Sequence, residues 1–154
     1  MALWGSGDGH VAEQARTALD PPGGAVDMPE DFGVLGFREY LPTAEEIVSA
    51  RHFVQETLQA VGARQDVIAA AELVVDEFAL NAMRHAGSFF SVSVEEAPGA
   101  VRIAVRDDSD VFPAMQEHVV LSISGRGLSI VASTAEQWGA QSLGRGKEVW
   151  AVLR

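Results

Sequence analysis

Hydrophobic positions along the chain switch between two spacings. From Ile47 to Val61 the residues Ile47, Val48, Ala50, Phe53, Val54, Leu58 and Val61 recur at the period of a helix. Pro42-Thr43 opens that helix, with Glu46 in the capping-box position three residues after Thr43, and Gly62 closes it. A second helix is predicted from about Arg64 to Ala86, capped by Gly87. The spacing then drops to two. Phe90, Val92 and Val94 alternate with Ser91, Ser93 and Glu95. After a Pro98-Gly99 turn, Val101, Ile103 and Val105 alternate with Arg102 and Ala104.

Weaker patterns flank these elements. Phe37 to Leu41 is a short strand candidate. Residues 107–124 show little periodicity and include Pro113. A third helix is predicted from Gly125-Arg126-Gly127 through Leu128, Ile130, Val131 and Ala135 toward Trp138. A turn at Gly144-Arg145-Gly146 leads to a last strand, Lys147 to Leu153, with Trp150 expected in the core. This order predicts an α+β two-layer sandwich, a mixed sheet covered on one face by about three helices. Pro21-Pro22-Gly23-Gly24 and Pro29 interrupt the first segment, apart from a short helix candidate at His10 to Leu19. Residues 1–35 are therefore taken as an N-terminal extension, and 36–154 as one folded domain.

Composition narrows the function. The chain has 154 residues, 47% of them hydrophobic, enough for one packed core. It has no cysteine, which removes disulfides, thiolate metal sites and cysteine nucleophiles and suits a reducing compartment. No signal-peptide pattern and no apolar run of membrane-spanning length stand out, so a cytoplasmic location and no membrane partner are expected. The net charge of −11 argues against direct binding to a nucleic-acid backbone, which needs a basic surface. His10, His52, His85 and His118 lack zinc-type spacing.

Candidate chemistry lies in separate segments. Glu77 and Asn81, four residues apart in the second helix, stack a carboxylate and a carboxamide on one face, with His85 a turn further on. The carboxylate can take a proton from an attacking hydroxyl, and the carboxamide oxygen can ligate Mg²⁺. Equally, two buried polar side chains can simply bond to nearby backbone. Asp107-Asp108-Ser109-Asp110 ends a strand, which suits either an acidic turn or acceptance from an exocyclic amine. Gly125-Arg126-Gly127-Leu128 opens a helix, where free N–H groups attract anions. Gly144-Arg145-Gly146-Lys147 precedes the final strand.

In this order the segments resemble the ATP-binding domain shared by histidine kinases, gyrase B and MutL, from about Phe37 to Leu153. Glu77-x-x-x-Asn81 matches its N box, Asp107-Asp108-Ser109 its first glycine box, Gly125-Arg126-Gly127-Leu128 its second, and Gly146-Lys147 its third. The wording is similar to that of stand-alone anti-sigma-factor serine kinases of the RsbW and SpoIIAB type. The resemblance implies a Bergerat-type fold that binds ATP with Mg²⁺. It implies Glu77 as general base, Asn81 as metal ligand and Asp107 as acceptor from the adenine amine. Gly125 and Gly127 would admit the phosphates, with His85, Ser109, Arg126, Leu128 and Lys147 as further nucleotide contacts and residues 110–124 as the lid. Ser109 stands where the family has glycine, Asp110 adds charge beside it, and Glu148 stands where relatives carry Thr or Ser, a departure that bears on the family's polar contact to the adenine side. The implied function is a serine/threonine kinase that binds a sigma factor and phosphorylates its STAS-type antagonist, often as a homodimer. The alternative is a nucleotide-binding interaction module with little or no kinase activity.

Overall fold

A computed structural model of the chain describes residues 31–85, 87–110 and 123–154, and for 123–128 the backbone alone. The elements run β1 (Gly33–Tyr40), α1 (Ala44–Ala60), α2 (Gln65–His85), β2 (Phe90–Ala97), β3 (Ala100–Asp107), α3 (Ile123–Thr134), β4 (Gln137–Ser142) and β5 (Lys147–Leu153). The expected extension up to residue 30, its helix candidate and most of the expected lid lie outside the described residues.

Local signals set the helix ends. Thr43 Oγ1 accepts from the Glu46 N–H at 3.3 Å and caps α1. After α1 the Gly62 N–H reaches the Gln59 carbonyl and the Ala63 N–H the Leu58 carbonyl, closing the last turn. Gly87 follows α2 at φ +59°, the left-handed conformation that ends helices.

The strands form one sheet in the order β1-β2-β3-β5-β4. Every neighbouring pair is antiparallel, so the sheet is not mixed as expected. The connection through α3 does bring β4 back parallel to β3. However, β5 returns between them, and no parallel pair becomes adjacent. Strand β4 itself was not anticipated. Its sequence, Gln-Trp-Gly-Ala-Gln-Ser, has little intrinsic strand preference, and its conformation comes from pairing with β5. The third helix therefore stops at Thr134 rather than near Trp138. Strand β1 begins at Gly33, and its ladder with β2 shifts register between Val34 and Gly36.

Three helices cover one face of the sheet. The core lies between, with Phe78 and Val75 of α2 and Val54 of α1 packed with Val92, Ile103 and Ala151 of the strands. The other face is organised by charge. Glu148 of β5 is 1% exposed and points away from the helices. Arg102 reaches it at 2.5 Å and Arg106 at 2.6 Å, and Gln141 adds a bond at 3.0 Å. Burial raises the Glu148 pKa, but the two guanidiniums outweigh it and hold the carboxyl below its ordinary range. Arg102 also pairs with Glu95 at 3.0 Å and lies 5.6 Å from the Trp150 ring. Trp150 is thus on this outer face, not in the core. Its ring covers Gly139, where a Cβ would come within 2.9 Å of it.

Replacing Arg102 with Met is expected to destabilise the fold by about 3 kcal/mol, because it strips a buried carboxylate of one of its two cations. Urea unfolding at neutral pH measures this. The loss should shrink in acid: the depressed Glu148 pKa means its stabilisation is present above the ordinary carboxylate value and disappears as pH falls through the folded one.

Candidate functional site

Helix α2 crosses the sheet against β2, β3 and β5 and carries the first pair of site residues. Its apolar positions Ile68, Ala71, Val75, Phe78 and Ala82 are buried as their spacing predicts, and Val74 and Ala79 join them. Asn81 is drawn into the same buried surface at 5% exposure, while Glu77, one turn earlier, is half-buried. Among the described residues no hydrogen bond ties either side chain to another residue. The simple account, two polar side chains held by backbone, therefore lacks its bonds among the described residues. Burial, then the neighbouring Asp76 carboxylate, raises the Glu77 pKa, and Arg84 offsets part of the rise. Asp76 is raised too, by burial and by Glu72 against the pull of Arg51 at 3.3 Å, and its Oδ1 is buried without a partner. A half-buried carboxylate with an elevated pKa is closer to a working general base than an exposed one. His85 is the last residue of α2 and exposed, placed with Arg84 to complement the helix dipole.

The second group forms where β3 and β5 end side by side. Asp107 and Lys147 are register partners on the helix-facing side. The Lys147 Nζ lies 2.9 Å from each Asp107 oxygen, and the two side chains are 1% and 3% exposed. The Ser109 N–H donates to Asp107 Oδ1 at 2.8 Å. A serine at this position is therefore accommodated: its backbone binds the aspartate, and Ser109 is itself buried. Gly146 sits tight against the same turn at φ +78°, and a Cβ there would lie 2.0 Å from the Asp107 carbonyl oxygen. The Gly146 N–H donates to Asp110 Oδ1 at 3.2 Å. Asp110 thus fastens the exit of β3 to the β4–β5 turn. This contact spans 36 residues and has no local signature in the sequence.

Glu148 and Asp107 lie on opposite faces of the sheet. Side chains alternate along β5, so Glu148 joins the arginines of the outer face and Lys147 meets Asp107. Gly125, Arg126, Gly127 and Leu128 lie in the first half of α3, which begins at Ile123 rather than at Gly125. The structure describes their backbone alone, and α3 packs against α2. It therefore brings Asp107, Ser109 and Lys147 into direct contact, puts Glu77 and Asn81 on the helix above the sheet, and leaves His85 exposed at that helix's end.

A sheet with helices on one side and buried polar groups at the strand ends beneath the central helix has the build of a nucleotide-binding ATPase domain. Residues 41–153 match the histidine kinase-like ATPase domain, and the chain belongs to that family. Membership implies that it binds ATP. No functionally curated protein matches the chain. Among the described residues no helix is long and apolar enough to cross a membrane.

Glu77→Gln should raise the melting temperature at neutral pH. The raised pKa of Glu77 means that its contribution to stability is present in acid and is lost as pH rises past the ordinary carboxylate value and through the folded one. The variant's advantage should vanish below about pH 4, where glutamate is protonated in both states. Thermal melts from acid to neutral pH test this, and a gain that does not change with pH would contradict it. Asp107→Asn should weaken ATP binding by about 1.5–3 kcal/mol, the range for a hydrogen bond to a charged group, read by calorimetric titration.

Proposed function

We propose that the chain is an ATP-dependent regulator of the anti-sigma serine-kinase type, which grips a sigma factor and phosphorylates that factor's antagonist. The observation that carries this reading is Glu77: a half-buried carboxylate with a raised pKa and no hydrogen-bond partner among the described residues, one helical turn from the buried amide of Asn81. Such a carboxylate has a desolvation penalty and returns no structural bond for it, which suits a group kept for proton transfer.

The residues fit a nucleotide that brings its own metal. Among the described residues no three His, Cys, Asp or Glu form a cage. Mg²⁺ bound chiefly by phosphates and water needs few protein ligands, and the Asn81 carboxamide oxygen would be one of them. When bound, Mg²⁺ neutralises phosphate charge. Glu77 takes the proton of the acceptor serine hydroxyl as that oxygen bonds to the γ-phosphorus, and the bond from phosphorus to the leaving ADP oxygen breaks. Gly125 and Gly127 leave the start of α3 open to phosphate approach. The acceptor belongs to a STAS-type partner, and the active form is a homodimer.

A second reading, a nucleotide-binding module that grips partners without transfer, draws on the Asp107–Lys147 pair, which is already neutral before any nucleotide arrives. One experiment separates the two. With labelled ATP and a STAS-type antagonist, the parent should transfer phosphate to serine. Glu77→Gln should bind ATP about as well and transfer about a hundredfold or more slowly. Equal transfer rates would remove Glu77 as the base, and ATP binding with no transfer by the parent would favour the module.

A further inference from the structure

The sheet face away from the helices carries exposed apolar side chains at one edge. The ladder pairs Val34 with Glu95 and Phe37 with Ser93. Ser93 Oγ donates to Glu95, which also binds Arg102, so Val34 and Phe37 stand on the face of the arginine network. Val34 is 68% exposed and Phe37 53%. Leu41 and Phe89, one step past the Tyr40–Phe90 pair at the end of the same two strands, are 49% and 62% exposed. Apolar side chains gathered in this way mark a surface that a partner covers. Helix α1 cannot be that partner: its Phe53 meets β1 at Gly36, on the opposite side.

We propose that residues 10–19 of the same chain dock on this face as an amphipathic helix. The spacing of Val11, Ala12, Ala15, Ala18 and Leu19 gives one apolar stripe, with Glu13, Thr17 and Asp20 on the opposite side. The two surfaces complement each other. Ala12, Ala15 and Ala18 are short and let the helix lie close over the Phe37 ring, while Val11 and Leu19 reach past it. The described chain begins at Asp31, just before β1, so the segment enters beside its docking face. From Leu19 to Gly33 the link spans roughly 45 Å when extended. Strand β1, with 8 residues, is about 27 Å long, so the chain has length to spare for turning back at Pro21-Pro22-Gly23-Gly24. A helix this short does not form alone in water, so docking and helix formation occur together. The tether favours this chain's own segment over a second copy, because it holds the segment at a millimolar effective concentration.

A nitroxide on Thr17→Cys in the full chain, which has no other cysteine, tests this by amide NMR. Amides of β1 and β2 around Phe37 and Ser93 should lose most of their intensity, and those of the α1–α2 side should keep theirs. In a mixture of labelled unenriched chain and unlabelled enriched chain, the β1–β2 signals should stay sharp. Adding Ala15→Asp, a change outside the folded domain, should restore the lost intensity. Phe37→Ser, at a half-exposed position, should restore it too. Broadening in the mixed sample would make this face an interface between copies and overturn the proposal. Unbroadened β1–β2 amides in the labelled chain would overturn it as well, as would broadening undiminished by Ala15→Asp. The labelled parent and the mixed sample decide the matter even where Phe37→Ser disturbs the sheet.

Discussion

The seam between β3 and β5 holds two opposite charges next to each other in sequence and sends them to opposite faces of the sheet. Lys147 meets Asp107 on the helix side, and Glu148 meets Arg106 and Arg102 on the other. Both β5 residues are 1% exposed. Slipping β5 by one residue would turn Glu148 toward Asp107 and Lys147 toward the arginines, burying like charges together on both faces. The apolar residues of β5 fall on both faces and would suit either phase, and these charges exclude the neighbouring registers. The helix-side pair and the outer network are therefore two consequences of one alignment.

That alignment explains why the turn before β5 is so restricted. Gly146 must pass within van der Waals reach of the Asp107 backbone while Lys147 swings beneath it. Asp107 and Lys147 are thus supported by strands, where positions are more precise than on loops. Helix α2 makes the opposite compromise. It buries one face completely and keeps two raised-pKa carboxylates, Asp76 and Glu77, on its flank. Burying those carboxylates costs stability that an apolar residue in their place would not.

Much of this was legible in the sequence because the strongest signals are local. Helical spacing placed α1 and α2, alternation placed β2 and β3, and Thr43, Gly62 and Gly87 marked ends through their own backbone chemistry. What escaped was set by partners distant in sequence. The six residues of β4 are a strand because β5 lies beside them, and Gly139 is tolerated because Trp150 covers it. The direction of Glu148 depended on the phase of β5, which its apolar residues left ambiguous: Val149 and Ala151 line one face, Trp150 and Val152 the other. The order of strands depended on β5 inserting between β3 and β4. Glu77 and Asn81 were visible as a spacing, but their burial, and their lack of bonded partners among the described residues, emerged only from packing.

The register shift in β1 bears on how the chain behaves among its copies. An outer strand with free backbone groups is a template on which another chain can extend the sheet. Here the ladder is interrupted between Val34 and Gly36, and Arg38 and Glu39 put charges further along the strand. A bulge adds local twist and breaks the even row of donors and acceptors that a foreign strand would need. The irregularity that looks like a flaw in β1 thus works against fibrous self-association, and it does so at an edge where Val34 and Phe37 are left exposed.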